Sequence, residues 1–319
     1  MSPSVFVSTP QRIVCLLKRQ DVESAEFAKR LFSSLGLVII DEAHRGAAPS
    51  YRRILEAIPP LVPIVGLTAT PFKFEYLGDD PEAGTRELLE VFRQLIEPSE
   101  TLGADYPRLE LQNRLILAKP EFRTIETGMR VKMPDSDSDE LPTEESVEKI
   151  DRILSSETNK AERRLRVLEH VVPIARDPSN LILYFGPTVK DAEHMAFLLR
   201  ERGVPAAVVS GTTREATRRK RIDRFRRREI RVLCNCEVLT TGFDAPRVTH
   251  VVVARPTVSQ VLYEQMIGRG LRAPRFGGTS VCVILDCADE MTGPTRPELG
   301  YKRFRRVWMR ETGAVAGPT

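Results

Sequence analysis

Two acids follow directly on an apolar run in the stretch Gly36 to His44, GLVIIDEAH. Leu37, Val38, Ile39 and Ile40 have the pattern of a strand buried on both faces of a parallel sheet. Ligands of open α/β sheets sit at the carboxyl ends of the strands, so Asp41 and Glu42 stand where a metal-bound phosphate would meet them. An aspartate at that place holds Mg²⁺ directly or through its waters, and an adjacent glutamate orients or deprotonates an attacking water. The competing reading is a strand end with two solvated acids. One strand further on come Thr68 and Thr70, whose hydroxyls can bond to those acids or pass a signal to a following domain, unless they form a plain strand-to-loop turn. Later segments supply glycine and positive charge. In LTTGFDA, Leu239 to Ala245, Gly242 permits close backbone approach and Asp244 sits in a loop after a strand. In QMIGRGLR, steps of three and four put Gln265, Arg269 and Arg272 on one side of a helical path. Two arginines presented across an interdomain cleft would neutralise charge developing on a γ-phosphate.

These residues need strands and helices to hold them. Val5 to Ser8 reads as a strand, and Thr9 as the N-cap of a helix with Pro10 at its first position. Helices are expected over Glu23 to Leu35 and Ser50 to Ile58, and a second short strand over Ile64 to Leu67. From Phe72 to Thr127 the pattern is mixed. Met133 to Glu148, MPDSDSDELPTEESVE, then carries seven acids and no basic residue. Such a run cannot bury enough apolar surface to fold alone and reads as a solvated linker, or as a mimic of nucleic-acid charge that shields a basic groove.

A second α/β region follows Lys160. Strands are expected at Leu181 to Phe185, Val204 to Val209, Ile230 to Cys234, Val248 to Ala254 and Val281 to Leu285. Helices fit Glu162 to Ile174, Lys190 to Arg202 and Ser259 to Leu271. After Thr213 another helix carries ten basic residues between Arg214 and Arg231 against three acids. Arg218, Arg221 and Arg228 point away from its apolar side, and arginine at this density suits phosphate contacts, although a charged helix face is commonly only solvated. Strand and helix alternating in two successive regions gives the fold class: α/β, two parallel-sheet domains.

At 319 residues the chain exceeds the size of one core. With 41% hydrophobic and 29% charged residues it is globular, neither fibrous nor wholly disordered. No apolar stretch approaches the ~18 residues of a membrane span, and no signal-peptide pattern opens the chain, so the cytoplasm is the expected location and no membrane partner is expected. Five cysteines do not form a disulfide framework. Cys234, Cys236, Cys282 and Cys287 could be imagined as a zinc site, but they read better as small buried hydrophobes. A net charge of +4 does not by itself announce nucleic acid, and the distribution counts for more.

The stretches VSTPQRI, VIIDEAH, GLTATP, LILYF, VLCNCEVLTTGFDAP and QMIGRGLR, in this order, resemble the successive motifs of the superfamily-2 helicases and translocases, the DEAD/DEAH-box group. HRGAAPSYRRIL and ARPTVSQVLYEQMIGRGLR are most similar to the subgroup related to the helicase part of type III restriction enzymes. The resemblance implies two RecA-like domains and an ATP-dependent helicase or translocase acting on nucleic acid, double-stranded DNA in many members of that subgroup, with ATP and Mg²⁺ as cofactors. By this resemblance Asp41 holds Mg²⁺ through water with Glu42 beside it as catalytic base, and His44 links to the second domain. Thr68 and Thr70 couple the ATP state to nucleic-acid binding. Gly242 and Asp244 line the nucleotide cleft, and Gln265, Arg269 and Arg272 complete it, Arg272 as arginine finger. Thr9 and Gln11 belong to a motif that touches the nucleic-acid backbone.

One motif of the pattern is missing. None of the ten lysines follows a glycine, so the chain holds no G-x-x-x-x-G-K-[ST] to cradle the β- and γ-phosphates. The sequence reading is of a fragment, a subunit completed by a second polypeptide, or a degenerate relative kept for binding. The domains expected are a truncated first RecA-like domain over 1–127, an acidic linker over 128–160, a second RecA-like domain over 161–290 and a basic tail over 291–319. A non-catalytic nucleic-acid-binding or regulatory subunit is the alternative to the enzyme.

Overall fold

In the computed structural model the chain divides into two compact units, Met1–Ile96 and Glu97–Thr319. The structure describes residues 4–19, 21–43, 49–68, 91–92, 107–132, 161–236, 247–256 and 260–292.

In the first unit Thr9 caps α1 (Pro10–Lys18), accepting a hydrogen bond from the Arg12 N–H at 3.4 Å, with Pro10 at the first helical position as expected. Asp21 caps α2 (Val22–Ser33), its Oδ1 accepting from the Ser24 N–H at 2.8 Å. Strand β1 (Val38–Asp41) pairs in parallel with β2 (Ile64–Leu67), and α3 (Pro49–Ala57) lies between them in sequence. Val5 to Ser8, expected as a strand, take no strand pairing among the described residues, and Val5 and Val7 are exposed.

The apolar run before Asp41 is not buried on both faces. Ile39 is 61% exposed and its register partner Val65 42%, whereas Ile40 is buried. The buried face is close-packed at Gly66, where an added Cβ would come within 2.6 Å of the Phe92 ring and 2.8 Å of the Ala43 side chain. Continuous apolar character gives two-sided burial only where both faces are covered, and among the described residues this pair is covered on one.

The second unit carries a six-stranded parallel sheet of order β3-β8-β7-β4-β6-β5, comprising β3 (Lys119–Lys132), β4 (Ile182–Phe185), β5 (Ala206–Val209), β6 (Val232–Asn235), β7 (His250–Val253) and β8 (Val281–Thr292). Its helices are α4 (Pro107–Asn113), α5 (Ala161–Arg176), α6 (Val189–Glu201), α7 (Glu215–Arg226) and α8 (Gln260–Gly268). Every residue of β4, β6 and β7 is buried, as their apolar runs require. Ala192, Met195, Ala196 and Leu199 of α6 join Val167, Leu168 and Val171 of α5 in the core.

Strand β3 differs from the sequence reading, which placed the end of the first domain at 127 and a linker from 128. It pairs with β8 from Lys119 to Lys132 and belongs to the second sheet, and the division between units falls between Ile96 and Glu97. The strand is an edge. Its charged positions and Pro120 suit one open side, so no apolar run marks it in sequence. Residues 133–160, which hold the acidic stretch, and the basic tail from 293 on lie outside the described residues.

Candidate functional site

Asp41 is the last residue of β1 and is exposed. Its Oδ1 accepts the Glu42 N–H at 2.9 Å, and Glu42 has a φ of 54°, in the left-handed region that a non-glycine residue rarely takes. The chain thus turns sharply away from the strand at Glu42, and the two carboxylates do not follow an extended course. Asp41 is exposed and, among the described residues, accepts a hydrogen bond from its neighbour, which fits a hydrated divalent cation held through water. Register pairs Asp41 with Leu67, so Glu42 and Thr68 follow at the same end of the two strands, and Thr68 is partly buried. Thr9 and Gln11 are both exposed at the start of α1. His44, Thr70, Gly242 and Asp244 lie outside the described residues.

In the second unit Gln265 lies on α8 but Arg269 and Arg272 do not. The helix expected to run to Leu271 ends at Gly268, and the chain tightens through bonds from Arg269 N–H to Met266 O (3.3 Å), Gly270 N–H to Ile267 O (2.9 Å) and Leu271 N–H to Gly268 O (3.3 Å). The cause is visible at Gly270. A Cβ there would sit 2.5 Å from Cys282 Sγ and 2.6 Å from Val251 Cγ2, so the backbone presses onto the sheet where a regular helix would not fit. Arg272 is exposed and pairs in an isolated antiparallel bridge with Leu117. The common helical face expected for Gln265, Arg269 and Arg272 is therefore replaced by a helix end followed by a turn.

Two links to residues distant in the chain, neither foreseen from sequence, hold α8. The buried Tyr263 hydroxyl donates to both carboxylate oxygens of buried Asp286 on β8, at 3.0 and 3.1 Å. Glu264 accepts from Arg108 Nη2 at 3.1 Å, although the two are 156 residues apart.

The three arginines expected to meet phosphates each donate to backbone carbonyls. Arg218 Nη2 donates to Ser210 O at 3.0 Å and Thr213 O at 3.4 Å, Arg221 Nη1 to Val208 O at 2.6 Å, and Arg228 Nη1 to Ser179 O at 2.9 Å. Val208 and Ser210 belong to the edge strand β5 and its end, whose outer carbonyls no neighbouring strand satisfies, and α7 supplies guanidinium groups for them. Arg219, Arg224, Arg226 and Arg227 pair with Glu215, Glu229, Asp223 and Glu229 at the surface.

At the carboxyl end of the sheet a buried network fixes the β4–α6 turn. Asp191 accepts from Arg164 Nε at 2.9 Å and from the Tyr184 hydroxyl at 2.5 Å, and its own N–H donates to Thr188 Oγ1 at 3.1 Å. Burial and the neighbouring Asp191 push the Tyr184 hydroxyl well above its ordinary value, so it stays a donor. Beyond the end of β5, the Ser210 hydroxyl lies 3.0 Å from Thr212 Oγ1 and 3.2 Å from Thr213 Oγ1. Among the described residues no three of His, Cys, Asp and Glu gather as a metal site. Cys234, Cys236, Cys282 and Cys287 are buried, and burial raises the thiols of Cys234 and Cys282.

Parallel sheets with functional side chains at their carboxyl ends are the architecture of RecA-like helicase domains. A solved fragment of a type I restriction enzyme HsdR subunit from Vibrio vulnificus shares this fold at a TM-score of 0.55 and 21% identity, over 88% of this chain and 48% of that one. Residues 163–274 match the helicase conserved C-terminal domain and residues 2–73 the type III restriction enzyme res subunit. The chain belongs to the superfamily-2 helicases and translocases, with the pattern of the type III restriction group. It is 28% identical over 276 residues to the putative ATP-dependent helicase IRC3 of Saccharomyces cerevisiae (84% of this chain, 35% of that protein). It is 30% identical over 295 residues to the putative mitochondrial ATP-dependent helicase irc3 of Schizosaccharomyces pombe (88% and 44%). The chain thus spans less than half the length of these two relatives. Other matches include proteins described as ATP-dependent RNA helicases.

Proposed function

We propose that this chain is the motor portion of an ATP-dependent DNA helicase or translocase, coupling ATP hydrolysis to movement on duplex DNA. The observation that carries the reading is the pairing, in one chain, of a strand that ends in Asp41-Glu42 inside the restriction-type domain with the Gln265 to Arg272 segment inside the helicase C-terminal domain. Asp41 would hold Mg²⁺, and Glu42, turned off the strand, orients and deprotonates the attacking water. A bound Mg²⁺ would neutralise charge on the phosphates. Arg269 and Arg272 stabilise charge on the transferred phosphoryl group, Arg272 as arginine finger, with Gln265 beside them. His44, Gly242 and Asp244 complete the nucleotide contacts, while Thr68 and Thr70 couple them to DNA. Thr9 and Gln11 contact the DNA backbone.

The polypeptide described here contains no G-x-x-x-x-G-K-[ST], and that observation favours a second reading, a non-catalytic nucleic-acid-binding or regulatory subunit. ATP turnover separates the two. The 319-residue chain alone is expected to hydrolyse little or no ATP, with or without DNA. A polypeptide in which this sequence is joined in frame to a P-loop segment of a superfamily-2 helicase is expected to show DNA-stimulated turnover that Glu42→Gln abolishes. Turnover by the chain alone that disappears in Glu42→Gln would mean that another group replaces the cradle. A joined polypeptide that remains inactive would leave the binding-subunit reading standing and remove the motor.

A further inference from the structure

We propose that residues 107–118 form a positioning strap for the arginine-bearing turn, with the Arg108–Glu264 pair as its latch. The inference rests on the reading that Arg269 and Arg272 act on nucleotide phosphates. Those arginines stand beyond the end of α8, so the course of a non-helical turn decides where their side chains go. Gly270 presses that turn onto the sheet from within. From the other side it is gripped by the segment that precedes β3. The Ala118 N–H donates to Leu271 O at 3.0 Å, Leu117 bridges Arg272, and the Arg275 N–H donates to Leu115 O at 3.3 Å. The Thr279 N–H closes the far side on Arg272 O at 3.0 Å. Ala118, Leu271 and Ala273 are almost wholly buried where the two segments meet.

The strap's own path is built for this contact. At the end of α4 Leu115 takes a φ of 55°, and the N–H groups of Ile116 and Leu117 fold back to Leu111 O at 2.9 and 3.1 Å. A leucine holds that conformation only where its surroundings impose it. The Arg108–Glu264 pair supplies the hold at the other end of α4: its side chains are 21% and 10% exposed, and Glu264 adjoins Gln265. In sequence the strap lies within the second unit and leads directly into β3. Arg108 and Glu264 act through the turn and are positioning residues.

Hydrogen exchange on the full chain tests this, comparing wild type with Arg108→Ala, Arg108→Lys and the charge-swapped pair Arg108→Glu/Glu264→Arg. Arg108→Ala should speed exchange in peptides covering 115–119 and 269–279 on the order of tenfold, the scale on which one charge-assisted hydrogen bond acts. Peptides from β4, β6 and β7 should be unchanged, and the lysine and charge-swapped variants should recover part of the protection. Unchanged exchange in the two segments would overturn the strap. So would a uniform rise across β4, β6 and β7 together with a lowered Tm, since that is loss of stability and not of position. Titration with a fluorescent ATP analogue and Mg²⁺ tests the underlying reading separately. If Arg272→Ala leaves that titration unchanged while the exchange pattern holds, the nucleotide role falls and the strap stands.

Discussion

Strands β1 and β4 begin from similar sequences, Val-Ile-Ile-Asp and Ile-Leu-Tyr-Phe, and end in different surroundings. All four residues of β4 are buried between β6 and β7 in a six-stranded sheet, whereas β1 has one neighbour among the described residues and alternates between more buried and exposed positions. Buried hydrophobic residues follow suit. The described part of the first unit has Ile40, Ala43 and Ile58, while the second unit has a core that runs through all six of its strands and two helices. An apolar run therefore reports a strand, and the number of its neighbours decides how much that strand contributes to stability. The chemistry divides the other way: the acids stand on the thinner support, and the arginine turn on the thicker one.

The comparison breaks most readily at Asp191. Asp191→Ala leaves Arg164 without its buried carboxylate and Tyr184 without its acceptor, and should cost the second unit about 3–5 kcal/mol. Urea unfolding followed by circular dichroism measures this, and a loss below about 1 kcal/mol would show that the network is replaceable. Matched truncations come next. Leu183→Ala, at a fully buried site in β4, should cost about 2–5 kcal/mol, and Ile39→Ala, at a largely exposed site in β1, under about 1 kcal/mol. Equal costs would mean that the open face of β1 is covered in solution. Gly270→Ala should cost about 1–3 kcal/mol through contact with Cys282 and Val251, against almost nothing for Gly36→Ala, where no atom lies within 4 Å.

A smaller effect is set by pH. Burial, and next the Arg123 charge, push His250 down from its ordinary 6.5 to about 4. The unfolded chain then takes up a proton near pH 6.5 that the folded chain refuses until about pH 4, so stability should fall as pH is lowered through that window. His250→Gln should flatten the slope in unfolding measured between those limits, and an unchanged slope would assign the proton uptake to other groups. The least effect is expected at the exposed pair Arg219–Glu215, where Glu215→Gln should change stability by no more than about 0.5 kcal/mol.

Much of this was legible in the sequence because it is local. The Thr9 cap with Pro10, and the buried runs of β4, β6 and β7, depend on neighbours in the chain and were read correctly. Strand β3 was not, because an edge strand of alternating charge has no apolar run. The end of α8 was misplaced because the obstacle at Gly270 is the side chain of Cys282 on a distant strand. Arg218, Arg221 and Arg228 carry the right charge for phosphate, and their bonds to backbone carbonyls have no mark in the sequence. The links Tyr263–Asp286 and Arg108–Glu264 join residues far apart in the chain, and a single sequence holds no sign of them.

The central claim, that the chain handles nucleic acid as part of a DNA motor, is tested most directly by its binding to a short labelled duplex, followed by fluorescence anisotropy from about 50 to about 200 mM salt. Binding without sequence preference is expected, with log affinity falling against log salt at a slope of roughly −0.9 for each phosphate contact, and with single-stranded RNA a weaker competitor than unlabelled duplex. Binding that is undetectable at the lowest salt, or that is indifferent to salt, would contradict the account, and stronger competition by RNA would move the motor from DNA to RNA.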